Sequence, residues 1–370
     1  MKICFKKTCA PFIFVVYSRH LLRKLTPTLV SLFGDVFNNF LIDEELMQRN
    51  MKKILAVVLA SAFVVGTAVA RDFRSADVHP QDYPTVMTVK KIGEIVSQKT
   101  GGKYNVKVFG NSSLGSEKDT VEQVKIGALD MVRVNTAAFH GIVPESMVPS
   151  FPFIFRDIKH FRASMNGPAG DDILAAFDKA GFVGLALWES GARSIYAKKP
   201  VRSLADVKGM KIRVQQSDLW VSLAQAMGAN PTPIPMAEVY TALKTGLVDA
   251  AENNYPSYET AKHYEAAPVY SETQHVMAPE VLVFSKKVWD TLSAEERKII
   301  RDAVKETIPY YIDLWSKKEM ASKDAAKKAG ATFVDDVNKA EFVTVMKPVW
   351  DKFSPTPELK ALVQKIVNTK

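Results

Sequence analysis

From Arg71 to the C-terminus, short runs rich in β-branched and aromatic residues alternate with stretches whose apolar residues recur at helical spacing. Strands separated by helices pair most readily in parallel, so the alternation predicts an α/β architecture with mostly parallel pairing. Strands are expected at Asp72 to Val78, Tyr104 to Phe109, Met131 to Val134, Val183 to Trp188, Ser194 to Ala197, Lys211 to Val214 and Val248 to Ala251. Between the first two, Val86, Val89, Ile92, Ile95 and Val96 form one helical stripe that Gly101-Gly102 ends. Ser116 is placed to cap the next helix, Ser217 or Asp218 a later one that closes at Gly228, and Pro235 opens another over Met236 to Thr245. Ser293-Ala294-Glu295-Glu296 reads as a capping box, and the helical pattern behind it continues to about Lys328 with Pro309 as a kink. A helix of that reach suits a bridge between lobes. The 370 residues, at about 100 to 200 per domain, predict two of them.

Residues 51–70 read MKKILAVVLASAFVVGTAVA, with two lysines, an apolar run and Ala68-Val69-Ala70 at the end. This is the pattern of a secretory signal peptide cut after Ala70, and its apolar stretch falls short of the roughly 20 residues a permanent anchor needs. Residues 1–50 are read as an upstream mistranslated segment, with Met51 as the initiator; the alternative is a real N-terminal extension with an interfacial segment at Phe12 to Tyr17. Removing residues 1–70 takes nine of the 49 Lys/Arg and four of the 40 Asp/Glu, so the formal charge falls from +9 to +4. That is an ordinary surface charge, and a nucleic-acid partner is not expected. Both cysteines, Cys4 and Cys9, leave with the same segment. The exported chain then has no thiol for a disulfide or a thiolate metal site and is stable through its core alone.

The chain holds no G-x-S-x-G elbow, H-E-x-x-H pair, P-loop or G-x-G-x-x-G turn. His79, His140, His160, His263 and His275 show no metal-ligand spacing, so no catalytic residue, metal or cofactor is expected. His79 stands apart through its place after the first strand, where α/β sheets collect ligands. Arg193, Arg213, Asn253 and Asn254 sit at or just after short strands, and arginines there suit a carboxylate.

These residues fall in segments that resemble the extracytoplasmic solute-binding subunits of tripartite ATP-independent periplasmic (TRAP) transporters. The resemblance runs from Asp72 to beyond Asp351 and rests on Leu114-Gly115-Ser116, VEQVKIGALDM at 121–131, LADVKGMKIRV at 204–214 and MAEVYTALKTGLVDAAENNYP at 236–256. It implies a two-lobed periplasmic binding protein that closes like a clamshell over one organic acid and delivers it to membrane subunits. It further implies that Arg213 forms a salt bridge to the ligand carboxylate, that Arg193 is a second arginine of the site, and that Asn253 hydrogen-bonds the acid. Val78-His79-Pro80, Ser116-Glu117-Lys118-Asp119 and Val134-Asn135 look like the subgroup that takes glucuronate and galacturonate. Glu117 accepts from hydroxyls, while His79, Asn135 and Gln215 donate or accept. Glu117 also fits a plain helix N-terminus, where the dipole favours an acid. Trp188 and Trp220 suit either a sugar face or the core, with core preferred for Trp188, and Asn254 and Tyr258 are further lining candidates.

The expected molecule is a monomeric periplasmic receptor with lobe I formed by 71–190 plus 279–318 and lobe II by 191–278 plus 319–370. The chain is expected to cross between lobes near Ser190, Ala278 and Lys318, with hinges at Ser190 to Arg193 and Ala278 to Glu280. A receptor of the same family for C4-dicarboxylates is one alternative, delivery to a chemosensor another, and an exported sugar-acid lyase the alternative from the enzyme class.

Overall fold

The computed structural model describes residues 70–370, so the proposed signal peptide and the segment before it lie outside the described residues. Eleven strands form two sheets. They are β1 Arg71–Ala76, β2 Tyr104–Phe109, β3 Met131–Asn135, β4 Phe182–Trp188, β5 Arg193–Ala197, β6 Lys211–Val214, β7 Asn230–Pro233, β8 Ala250–Asn253, β9 Val269–Val276, β10 Glu280–Ser285 and β11 Thr332–Val334. The first sheet runs β2-β1-β3-β10-β4 and the second β11-β9-β5-β8-β6-β7. Pairing is parallel at β1–β2, β1–β3, β11–β9, β6–β7 and β6–β8, while β10 in the first sheet and β5 in the second run antiparallel to their neighbours.

The helices that position the site are α1 Pro84–Lys99, α2 Glu117–Ile126, α3 Asp218–Ala226, α4 Tyr255–Thr260, α5 Ala294–Glu306 and α6 Ile308–Lys328. The apolar stripe of α1 buries Val86, Val89, Ile92, Ile95 and Val96, together with Phe73, Leu282 and Phe284 of the first sheet. At the start of α2, Ser116 Oγ accepts from Asp119 N and Asp119 Oδ2 accepts from Ser116 N. That reciprocal cap fixes where the helix begins and hence where Glu117, its first residue, stands.

The chain passes between sheets at 189–192, at 277–279 and along α6. Tyr311 and Trp315, in the first half of α6, pack with Trp188 and the first sheet. Ala326, in its last turns, packs with Tyr196 and Tyr270 of the second and with Tyr258 of α4. The predicted helix from Ser293 to Lys328 is two helices, broken at Thr307. Pro309 falls at the second position of α6, where a missing N–H leaves no intrahelical bond unmade, so it starts a helix instead of kinking one. After β11 the chain runs over the second sheet's helices, and its last helix, Pro357–Val367, lies against residues 144–176 of the first half, with His160 Nε2 facing Ile366 O at 2.8 Å.

Two further differences from expectation have local causes. The strand expected at Val248 to Ala251 is Ala250–Asn253, so Glu252 and Asn253 belong to the strand. Strands β7, β9, β10 and β11 were not anticipated: β7 carries Pro231 and Pro233, which an edge strand tolerates, and β9 mixes polar and apolar residues without clean alternation.

Candidate functional site

Parallel strands deliver their C-terminal ends to one edge of a sheet, and the reversed strands bring their N-terminal ends to that same edge. In the first sheet this gathers Asp77 and His79 after β1, Arg133 and Asn135 on β3, and Glu280 at the start of β10, where Glu280 pairs in register with Asn135. In the second it gathers Arg213 and Gln215 at the end of β6, Asn253 at the end of β8, Arg193 at the start of β5, and Ser257 on α4. The two edges face one another across a cavity lined by His79, Glu117, Asn135, Arg193, Arg213, Gln215 and Asn253. All seven site residues expected from the sequence therefore meet in one place. Arg133, Glu280, Ser257 and Met236 line it too and were missed. Arg133 carried a signal: a charge inside the apolar strand Met-Val-Arg-Val-Asn has to be neutralised by buried partners.

The two walls differ in charge. On the first-sheet side Arg133 is fully buried, and its Nε donates to Asp77 Oδ2 at 2.8 Å, its Nη1 to Glu280 Oε2 at 2.7 Å, and its Nη2 contacts Asp77 Oδ1 and His79 Nδ1. Glu117 Oε1 lies 3.7 Å from the same Nη1 and accepts from Asn135 N at 2.9 Å. Three carboxyl groups thus share one guanidinium. Burial pushes Glu117 up to about 7 despite Arg133 beside it. Asp77 is held well below the usual carboxylate range, because Arg133 and His79 outweigh the burial that acts against its charge. His79, stacked on Tyr83 at 3.8 Å, is pulled below its usual value by burial and by Arg133, which leaves the ring neutral.

The second-sheet wall is cationic. Arg193 is neutralised within the protein: Nε and Nη2 grip Glu252 at 2.6 and 2.9 Å, Nη1 donates to Asn253 Oδ1 at 2.8 Å, and the guanidinium lies 5.0 Å from the ring centre of Trp220. Arg213 differs. It is equally buried, yet Nε and Nη2 donate to one carbonyl, Ile234 O, at 2.9 and 2.8 Å, and no carboxylate lies within salt-bridge distance among the described residues. Burial accordingly pulls Arg213 below its usual value, with Glu252 offsetting part of the loss. Gln215 Nε2, buried at the same wall, has no hydrogen-bond partner among the described residues. Asn253 spends Oδ1 on Arg193 and on Asn254 N and turns Nδ2 toward Met236.

Hydrogen bonds join the two sides. Ser257 Oγ is 3.0 Å from Tyr83 Oη and 3.4 Å from His79 Nε2, and Ser217 Oγ is 2.7 Å from His140 Nδ1. Of the remaining sequence candidates, Trp188 and Trp220 are core, Tyr258 is buried with its hydroxyl on Ala267 O, and Asn254 caps α4. A second cavity adjoins the first and shares Glu117, Arg213, Gln215 and Met236 with it.

Residues 75–356 match the family described as bacterial extracellular solute-binding protein, family 7. A solute-binding protein of Chromohalobacter salexigens is 37% identical over 86% of this chain and 98% of its own length. Among solved structures, a TRAP periplasmic solute-binding protein from Bradyrhizobium sp. in complex with α/β-D-galacturonate is 59% identical, with a TM-score of 0.80 over 81% of this chain and 100% of that one. One from Roseobacter denitrificans with β-D-glucuronate is 39% identical, with a TM-score of 0.79 over 81% and 100%.

Proposed function

The chain belongs to the bacterial extracellular solute-binding protein family 7, and from that membership we propose that it is the periplasmic receptor of a TRAP-type importer, taking a hexuronate between its two lobes. The observation that carries the reading is Arg213: a buried cation on the cleft wall whose protein partner is one carbonyl, beside an amide with an unused donor. A guanidinium in that state is completed by a carboxylate, through two parallel charge-assisted bonds. Arg193 acts differently from Arg213. Paired to Glu252, it fixes Asn253 and offers the ligand one remaining N–H.

The opposite wall supports a sugar acid over a dicarboxylate. Asp77, Glu117 and Glu280 already outnumber Arg133, so a second carboxylate placed there meets repulsion, whereas ring hydroxyls find acceptors. The ligands of the two solved relatives, galacturonate and glucuronate, have one carboxylate and several hydroxyls, as this wall requires. Binding without turnover, export by the signal peptide at 51–70, and delivery to two membrane subunits complete the proposal. Lobe I comprises 71–190 and 279–318, and lobe II 191–278 and the chain from 319, with the last helix strapped back onto lobe I. Hinges fall at the crossings 189–192 and 277–279.

A thermal-shift screen over uronates, aldonates and C4-dicarboxylates tests the ligand class. A ligand at a thousand times its dissociation constant adds about 4 kcal/mol to folding stability. A large rise with galacturonate or glucuronate and none with succinate is expected; the reverse pattern would replace the hexuronate with a dicarboxylate.

A further inference from the structure

We propose that capture of the acid in this cleft is coupled to uptake of one proton, which Glu117 holds. The inference rests on the receptor reading above and concerns a group that reading uses only as a hydroxyl acceptor.

Glu117 faces charge from every element around it. Arg133 Nη1 on β3 lies 3.7 Å from Oε1, but the same guanidinium is already engaged by Asp77 beyond β1 and by Glu280 on β10. His79, neutral, borders Arg133; Lys118 follows on the same helix; and Arg213 stands on the opposite wall of the cavity that Glu117 also lines. Asn135 N donates to Oε1, while Oε2 has no hydrogen-bond partner among the described residues. Glu117 is thus the one carboxyl of the three without a short bond to the guanidinium, and the first to accept a proton when negative charge is added. Burial brings its value up to about 7, at the point of titration.

An anion seated on Arg213 adds that charge. It cancels the charge of Arg213, the cation of the far wall without a carboxylate partner among the described residues, whose field favours an ionised Glu117, and it displaces water that screens the carboxylate. Both changes favour the neutral acid. The balance is simple: the Glu117 carboxylate and one proton from solvent become a carboxylic acid, whose new O–H on Oε2 donates to a ligand hydroxyl. The sugar carboxyl stays ionised, because it sits against a guanidinium.

Proton uptake is read by calorimetric titration of the full protein with D-galacturonate in two buffers of different ionisation enthalpy, such as phosphate and Tris, over a pH series. The expected result is uptake of up to about one proton per ligand above pH about 7, vanishing toward pH about 5 where the free protein is already protonated, with affinity falling by up to about tenfold per pH unit across the window. Glu117→Gln removes the uptake and flattens the slope. Equal heats in both buffers at every pH, with binding intact, would overturn the proposal and leave the receptor reading standing. Uptake undiminished in Glu117→Gln would also overturn it by moving the proton to another group. No binding of galacturonate at any pH would overturn both. Should Glu117→Gln fail to fold, the wild-type comparison of buffers still decides.

Discussion

Arg193 and Arg213 stand on the same wall and are buried to the same degree, yet their partners assign them different work. Arg193 closes a bidentate pair with Glu252, so Arg193→Ala leaves a buried carboxylate stripped of its bidentate cation, with His275 3.8 Å away. The expected cost is about 3 to 5 kcal/mol of folding stability, read from denaturant unfolding. An unfolding midpoint within error of wild type would show the pair to be dispensable. Sequence placed both arginines at the site through their strand ends and through resemblance, but the distinction between them was not legible. It depends on Glu252, which lies within the 236–256 motif but whose partner no local pattern reveals: it reaches Arg193 because β5 and β8 pair antiparallel with Ile195 opposite it. The pairing of Arg133 with Glu280 was hidden for a similar reason. Their partnership joins residues 147 positions apart, through a strand pairing that local pattern does not reveal.

At the scale of elements, the crossings between sheets carry the constraint. Gly191 adopts φ +65 in the first crossing, and a Cβ added there meets the carboxylate of Glu319 on α6. Next to it, Tyr311 Oη donates to Glu189 O and the Glu189 carboxylate binds Arg162, so this strand of chain is tied to both α6 and the first lobe. Gly191→Ala is expected to lose about 1 to 2 kcal/mol from backbone strain, with more from the displaced Glu319, measured as a lowered thermal midpoint. An unchanged midpoint would mean the crossing yields freely. The capped starts of α2 and α5 were readable in the sequence, through Ser116 and through the Ser293 capping box. Strands β7, β9, β10 and β11 were not: β10 is buried along its whole length and carries no alternation, and β11 has three residues.

For the whole molecule, buried titratable groups set the response to acid. Burial holds His140, His263 and His275 at about 3, below the 6.5 of a free imidazole, so their contribution is complete above 6.5 and is lost as pH falls toward 3. Glu117 and Glu319 act in the opposite sense: burial raises both from 4.5 to about 7, so the folded form retains protons that the unfolded chain has released, and stability falls as pH rises through that window. Between 4.5 and 6.5 the two sets oppose one another. Below 4.5 the histidines are joined by Asp77 and Glu296, whose carboxyls are also held low in the folded form. Melting temperature should therefore change little from neutral pH to about 5 and drop steeply below about 4.5, whereas a continuous rise toward acid would contradict these assignments. The central claim is that two lobes close on an anion held by an otherwise uncompensated cation. Calorimetric titration of D-galacturonate into wild type and Arg213→Ala tests it most directly. One site per chain is expected in the wild type, with a loss of about 2 to 5 kcal/mol in the variant; equal affinities within a factor of about two, well under the tenfold that about 1.4 kcal/mol represents, would contradict it.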